Sequence, residues 1–176
     1  MEINSGDTAW VMMSAALVLF MTPGLAIFYA GMVRVKSVLN MIMMSFAAMG
    51  VVSILWVMYG YSLTFGPDTG AGVIGGLSEV GLSGVPGTTV GATGHQNPTL
   101  AFVMFEMTFA IITVALLSGA IADRAKFRAW LVFIVIWATL VYFSIARWAF
   151  DFEDGSGGWM GDRLGALHFA GGTAVE

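Results

Sequence analysis

The chain has 176 residues, of which 58% are hydrophobic and 10% charged, and a net charge of −4; its mean hydropathy is +0.85. A soluble domain carries about a quarter of its residues charged, so this composition excludes an ordinary soluble globular protein and, with its acidic balance, a nucleic-acid partner. The absence of cysteine removes a disulfide framework and a thiolate metal site.

The opening residues Met1-Glu-Ile-Asn-Ser-Gly-Asp7 carry acid where a secretory signal peptide would carry Lys or Arg, so the first apolar run reads as a retained span. A bilayer-crossing helix needs about 20 mostly apolar residues. Four stretches meet that length, at 8–32, 39–65, 98–122 and 127–150, and a fifth begins at Trp159. The first contains Pro23, tolerated in a membrane helix when a neighbour satisfies the freed carbonyl. The polar hinge 33–38, with Arg34 and Lys36, leads into the second span. Residues 66–97 are dense in Gly and Pro, lack helical periodicity and end in His95-Gln-Asn-Pro98, which makes them an extramembrane loop.

In the third span Phe102, Phe105 and Phe109 repeat at helical spacing, and Glu106 sits among them. The stripe alone reads as core or lipid-facing packing. A carboxylate at bilayer depth costs about 2.5–3.5 kcal/mol on insertion scales, so Glu106 needs a pore, a proton or a partner. The hinge 123–126 precedes the fourth span, and Arg147 near that span's outer end is the expected ion-pair partner of Glu106. The fifth segment places two ionisable side chains, His168 and Glu176, inside an apolar run.

Trp10, Trp130, Trp148, Trp159 and Tyr142 lie near span ends, where amphipathic rings anchor at the interface. Gly24, Ala30, Gly31, Gly50, Gly119, Gly171 and Gly172 are expected to let helices approach closely. Arg34, Lys36, Arg124, Lys126 and Arg128 fall at the hinges, and the opposite side has only Arg147 and Arg163. The positive-inside rule therefore places the hinges in the cytoplasm and the N-terminus outside. Glu2, Asp7, Asp68, Glu79, Asp151, Glu153, Asp154 and Asp162 then lie outside. Either a solvated loop surface or a field that concentrates a cation accounts for them.

Signatures of soluble enzymes are missing: there is no phosphate-binding glycine loop with Lys-Ser/Thr, no His-Glu-x-x-His and no nucleophile elbow. With two histidines and no cysteine, neither a metal site nor a cofactor is expected. The reading is a membrane helical bundle without covalent chemistry.

Seven segments, in order and at matching spacing, resemble the ammonium transporter family (Amt, with its Mep and Rh relatives). They are Asn4-Ser-Gly-Asp-Thr-Ala-Trp10, Met21-Thr-Pro-Gly-Leu-Ala-Ile-Phe-Tyr-Ala-Gly-Met-Val-Arg34, Ser37-Val-Leu-Asn40, Trp56-Val-Met-Tyr-Gly-Tyr-Ser-Leu63, Met107-Thr-Phe-Ala-Ile-Ile-Thr113, Ser118-Gly-Ala-Ile-Ala-Asp-Arg124 and Leu167-His-Phe-Ala-Gly-Gly-Thr173. The resemblance implies an all-α polytopic bundle, with residues 1–176 forming one incomplete transmembrane domain. That domain corresponds to four full helices and the start of a fifth, within the first of two inverted five-helix repeats. It also implies a homotrimer in the cytoplasmic membrane, no enzymatic activity, and a chain that is a fragment of the usual eleven-span subunit. A PII-type regulator would act through a C-terminal tail beyond these residues.

In that family ammonium meets aromatic rings and a hydroxyl in an outer vestibule, passes two stacked phenylalanines and enters a narrow apolar pore with two facing histidines. By resemblance Phe109 is the first gate phenylalanine, and Phe105, Glu106, Trp148, Phe150 and His168 belong to the vestibule. Several positions depart from the pattern. Glu106 stands for the usual glutamine and Arg147 for a frequent histidine. Phe150 replaces the vestibule tryptophan, keeping a π face but losing the indole donor. His168 replaces the vestibule aspartate, and it either bonds a backbone carbonyl or takes part in substrate binding. Glu176 occupies the first pore-histidine position, where a carboxylate lines the pore or merely marks an exposed terminus. The expected function is ammonium or ammonia conduction. The alternatives are a non-conducting ammonium sensor module of a signalling protein and a decayed fragment.

Overall fold

The computed structural model describes residues 3–69, 73–150, 160, 164–165 and 172–175. Trp159, Arg163, His168, Gly171 and Glu176, and the acids Glu2, Asp151, Glu153, Asp154 and Asp162, lie outside the described residues.

Helix α1 runs over Ser5–Met32. Asn4 caps it, its side-chain oxygen accepting from Gly6 N at 3.0 Å and Asp7 N at 3.1 Å, which satisfies two otherwise orphaned amides. Asp7 in the first turn complements the helix dipole. Pro23 lies inside the helix without ending it. After a 3-10 turn at Val35–Ser37, helix α2 covers Val38–Leu55. A π-helical turn, Trp56–Gly60, then joins α2 to α3, Tyr61–Phe65. The outer loop holds a small antiparallel pair, β1 (Thr89–Val90) with β2 (Asn97–Pro98). Helix α4 follows over Thr99–Ala120. The fourth span repeats the pattern of the second, with α5 (Phe127–Trp137), a π-helical turn at Ala138–Tyr142 and α6 (Phe143–Phe150).

Four of these helical runs are long and apolar enough to cross a membrane: Ser5–Met32, Val35–Phe65, Thr99–Ala120 and Phe127–Phe150. They match the four predicted spans to within a few residues. Helix α4 packs on α1 and α2, while α5 packs on α2 and α6 on α3, so the second span is central. The core joins Met41, Met44, Val52 and Trp56 of the second span to Ile111 and Val114 of α4 and to Trp130, Ile134 and Phe143 of the fourth. Two indoles stitch it together. Trp56 Nε1 donates to Val103 O at 3.1 Å, and Trp130 Nε1 to Met44 O at 2.9 Å. Each bond gives a buried donor its partner without leaving the apolar layer.

The two π-helical turns face each other. Tyr59 and Thr139 share a hydroxyl hydrogen bond of 2.8 Å, and the Phe143 ring fills the space over Gly60, where a Cβ would come within 2.5 Å of Cζ. Gly60 was not among the small residues expected at helix contacts. Of those that were, Gly119 meets Tyr29, but Gly24, Gly31 and Gly50 have open space where a Cβ would go. The anchor reading also divides. Trp10 is exposed as expected, whereas Trp130 and Tyr142 are buried because the fourth span turns those rings into its contacts with neighbours rather than outward.

The ends of the bundle are distinct. At one end Asn4 N donates to Gln96 O at 2.8 Å, Asn4 Nδ2 to Gly94 O at 3.1 Å and Thr8 Oγ1 to Asn97 Oδ1 at 3.2 Å. Asp7 and His95 pair there at 2.8 Å. At the other end Arg34 and Asp123 pair at 3.2 Å, and Asn40 Nδ2 donates to Ala125 O at 3.3 Å. Both basic hinges therefore share one end of the bundle, and the N-terminus shares the other with the loop.

Candidate functional site

One face of α4 organises the site. Residues Phe102, Phe105, Phe109, Thr113, Leu116 and Ala120 recur every three or four positions, which puts them in one row along the helix. At the loop end, Phe102 and Phe105 line a recess of about 620 Å³ with Val11, Val90, Gly91, Ala92 and Asn97. At the hinge end, Thr113, Leu116 and Ala120 line a second cavity of about 460 Å³ with Trp137, Tyr142, Ile145 and Thr173–Val175. Phe109 stands between them, one turn from Phe105 and one from Thr113. The two rings pack edge to face with centroids 5.1 Å apart, a preferred aromatic geometry. Phe102 is drawn away by Phe65, also edge to face at 5.1 Å.

The polar groups on α4 are mostly satisfied within the helix. Thr108 Oγ1 donates to Phe105 O and Thr113 Oγ1 to Phe109 O, each at 2.6 Å, and Ser118 Oγ donates to Ala115 O at 2.7 Å. Bonds to carbonyls three or four residues back let hydroxyls sit in an apolar layer. Glu106 is different: it is 8% exposed, and among the described residues it forms no ion pair. Tyr61 and Tyr142 lie near it.

The expected Glu106–Arg147 pair does not form. Arg147 is fully buried, and its guanidinium turns to the end of the second span, donating from Nη1 to Gly66 O at 2.7 Å and to Thr64 O at 3.2 Å. Its Nη2 lies 3.5 Å from Asp68 Oδ1. The physical reason is azimuth. Arg147 and Glu106 were matched by depth, but α6 packs on α3, so the guanidinium finds the open carbonyls at that helix end, where the dipole favours a cation.

Trp148 Nε1 donates to Val73 O at 2.8 Å, tying the same helix end to the outer loop. Phe150 is half-buried and packs against the core. Phe105 and Phe109 are thus brought together, and Glu106 lies between them in sequence. Trp148 and Phe150 stand at the outer end of the fourth span, and His168 and Glu176 lie outside the described residues. Sequence reasoning named Asp68 only among the outer acids, and singled out neither Thr113 nor Leu116. The phenylalanine spacing, carried two further turns, would have found the last two.

Comparison with known proteins is consistent along the whole chain. The profile of the Ammonium Transporter Family matches residues 9–176. An ammonium transporter of Mycobacterium tuberculosis is 53% identical over 190 residues, covering 98% of this chain and 40% of that protein. One from Bacillus subtilis is 49% identical over 174 residues, covering 99% of this chain and 41% of that protein. The crystal structure of Saccharomyces cerevisiae Mep2 superposes with a TM-score of 0.86 at 32% identity, over 99% of this chain and 38% of that one. A structure described as Sensor Amt Protein shares the fold, with a TM-score of 0.82 at 24% identity. The chain spans about 40% of the length of the curated relatives it matches. A profile match of that extent, with relatives near half-identical and four spans of membrane length, makes this chain a multi-pass membrane member of the Ammonium Transporter Family.

Proposed function

We propose that this chain forms part of the first repeat of a channel that carries ammonium or ammonia across the cytoplasmic membrane. The observation that supports this best is the row on α4, where Phe105 and Phe109 separate an outer recess from an inner cavity. A cation over an aromatic face gains about 0.5–2 kcal/mol. Phe105, Phe150 and Trp148 therefore receive the ion, while Glu106 places a carboxyl group at the same level. Phe109 then acts as the gate, and the apolar cavity beyond it admits a neutral molecule more readily than a hydrated ion. His168 and Glu176, at the vestibule-aspartate and first pore-histidine positions, complete the path as a polar group at the mouth and a carboxylate lining the pore.

The charge distribution supports an N-terminus outside. Arg34, Lys36, Arg124 and Lys126 sit at the hinge end, which the positive-inside rule assigns to the cytoplasm. We extend the reading to a homotrimer in the membrane, with the exposed apolar side chains Trp10, Leu17, Phe20 and Ile27 of α1 facing lipid or neighbouring protein. A PII-type regulator would act on the cytoplasmic side.

The test is methylammonium uptake by the full-length protein in cells lacking their own ammonium transporters. Uptake well above that of empty cells is expected, and Phe109→Ala is expected to lower it about tenfold, equivalent to about 1.4 kcal/mol. Uptake no different from empty cells overturns the channel. The substitutions at His168 and Glu176 favour one second reading, a non-conducting sensor. Ammonium binding without uptake is the result that selects it.

A further inference from the structure

Arg147 has no part in conduction as described, yet it is a fully buried cation beside the place where another cation is to be received. Phe150 follows it by three residues in α6, and helix geometry puts their Cβ atoms about 5–6 Å apart. The guanidinium itself lies at Thr64 O and Gly66 O, at the same outer end of the bundle, and like charges within about 10 Å of each other repel appreciably where the surroundings are not fully aqueous. A buried guanidinium is also poorly screened by salt. Left alone, Arg147 would raise a barrier to ammonium at the mouth it helps to build.

The structure supplies a counter-charge. Asp68 Oδ1 lies 3.5 Å from Nη2, and its side chain is 40% exposed while that of Arg147 is fully covered. Asp68 belongs to the turn that Arg147 caps through Thr64 O and Gly66 O, and a backbone bridge to Gly75 holds it in place. Trp148, the next residue, fastens α6 to the same loop through Val73 O. The anchor and its counter-charge thus come from two spans and meet where the second span ends.

We infer that Asp68 is a positioning residue that neutralises the Arg147 anchor toward an incoming cation, so that the pair governs how readily the outer mouth accepts ammonium. The inference rests on the channel reading. It assigns Asp68 a task that holding the loop would not require: the carboxylate must be charged, and it matters only because the guanidinium is present.

The experiment measures methylammonium uptake by the full-length protein against substrate concentration. Asp68→Asn is expected to raise KM about tenfold with little change in maximal rate, because the guanidinium stays and the carboxylate charge beside it goes. The excess should persist as ionic strength rises, because the buried guanidinium is poorly screened. The double variant Asp68→Asn with Arg147→Gln should return KM to within about threefold of the parent, although the ion pair is gone. Asp68→Asn with Arg147→Lys retains the cation and should keep the raised KM, which guards against misfolding as the explanation. An unchanged KM in Asp68→Asn overturns the inference, as does a double variant no better than the single one. A parent that takes up no methylammonium removes the channel and this inference together, whereas a transporting parent with an indifferent Asp68→Asn removes the inference alone.

Discussion

The first and third spans have nearly equal mean hydropathy, 2.1 and 2.3, but 17% of the first span's most apolar window is buried against 56% of the third's. Hydropathy therefore tells that both helices sit in lipid and nothing about which one carries the inside of the bundle. The difference lies in residue size and in where the hydroxyls fall. Helix α4 combines small or branched residues, Ala110, Ile111, Val114 and Ala115, with Thr108, Thr113 and Ser118, whose hydroxyls bond their own helix. Helix α1 turns Trp10, Phe20 and Ile27 outward, each more than 70% exposed.

Cavity-forming substitutions should sharpen that contrast most. Ile111→Ala on α4 is expected to cost about 2–4 kcal/mol, whereas Ile27→Ala on α1 should cost under about 0.5 kcal/mol in the isolated chain. Reversible unfolding in detergent measures both, and equal losses would break the comparison. Overpacking gives a smaller effect in the same direction. A Cβ at Gly119 would lie 2.6 Å from Tyr29 Cζ, so Gly119→Leu is expected to cost about 1–3 kcal/mol. Gly24 on α1 has open space, so Gly24→Leu should be close to neutral.

The smallest effect concerns the point where these two spans are tied. Arg34 follows α1 and Asp123 follows α4, and the two pair at 3.2 Å. A hydrogen bond from the Ser37 hydroxyl, followed by the contacts with Arg34, holds the Asp123 carboxyl below its usual value. A lowered value in the folded chain means a contribution fully present above the unfolded aspartate value of about 3.9 and lost as pH falls through the folded one. The unfolding midpoints of the parent and Asp123→Asn should therefore differ slightly near neutrality and converge in acid. A gap that persists in acid would show that the carboxylate charge is irrelevant to the tie.

The four spans were legible because length and apolarity are properties of a segment alone. The row on α4 was half legible, since Phe105 and Phe109 announce themselves while Thr113 and Leu116 look like any other membrane residues. Partners were not legible. Matching Arg147 to Glu106 by depth failed because depth leaves the direction around the helix undetermined, and direction is set by α6 packing on α3. Trp130 and Tyr142 misled for the same reason, their position near span ends saying nothing of the neighbour each ring meets. The π-helical turns left no local mark either, since Gly60 acquires its role only when Phe143 arrives from the other span.

Those turns impose a rule of length. A π-helical turn amounts to one extra residue in an α-helix, and each added residue advances the side chains that follow by about 100°. The second and fourth spans each carry one, at Trp56–Gly60 and Ala138–Tyr142, so Tyr61–Phe65 and Phe143–Phe150 are rotated in step. Removing one residue from either turn would swing one outer segment out of phase with its mate and carry Arg147 away from the carbonyls it caps. Removing one from both would turn each segment by about 100° about its own axis, so the faces of α3 and α6 that now meet would both turn away, and a change in one turn is not repaired by the same change in the other.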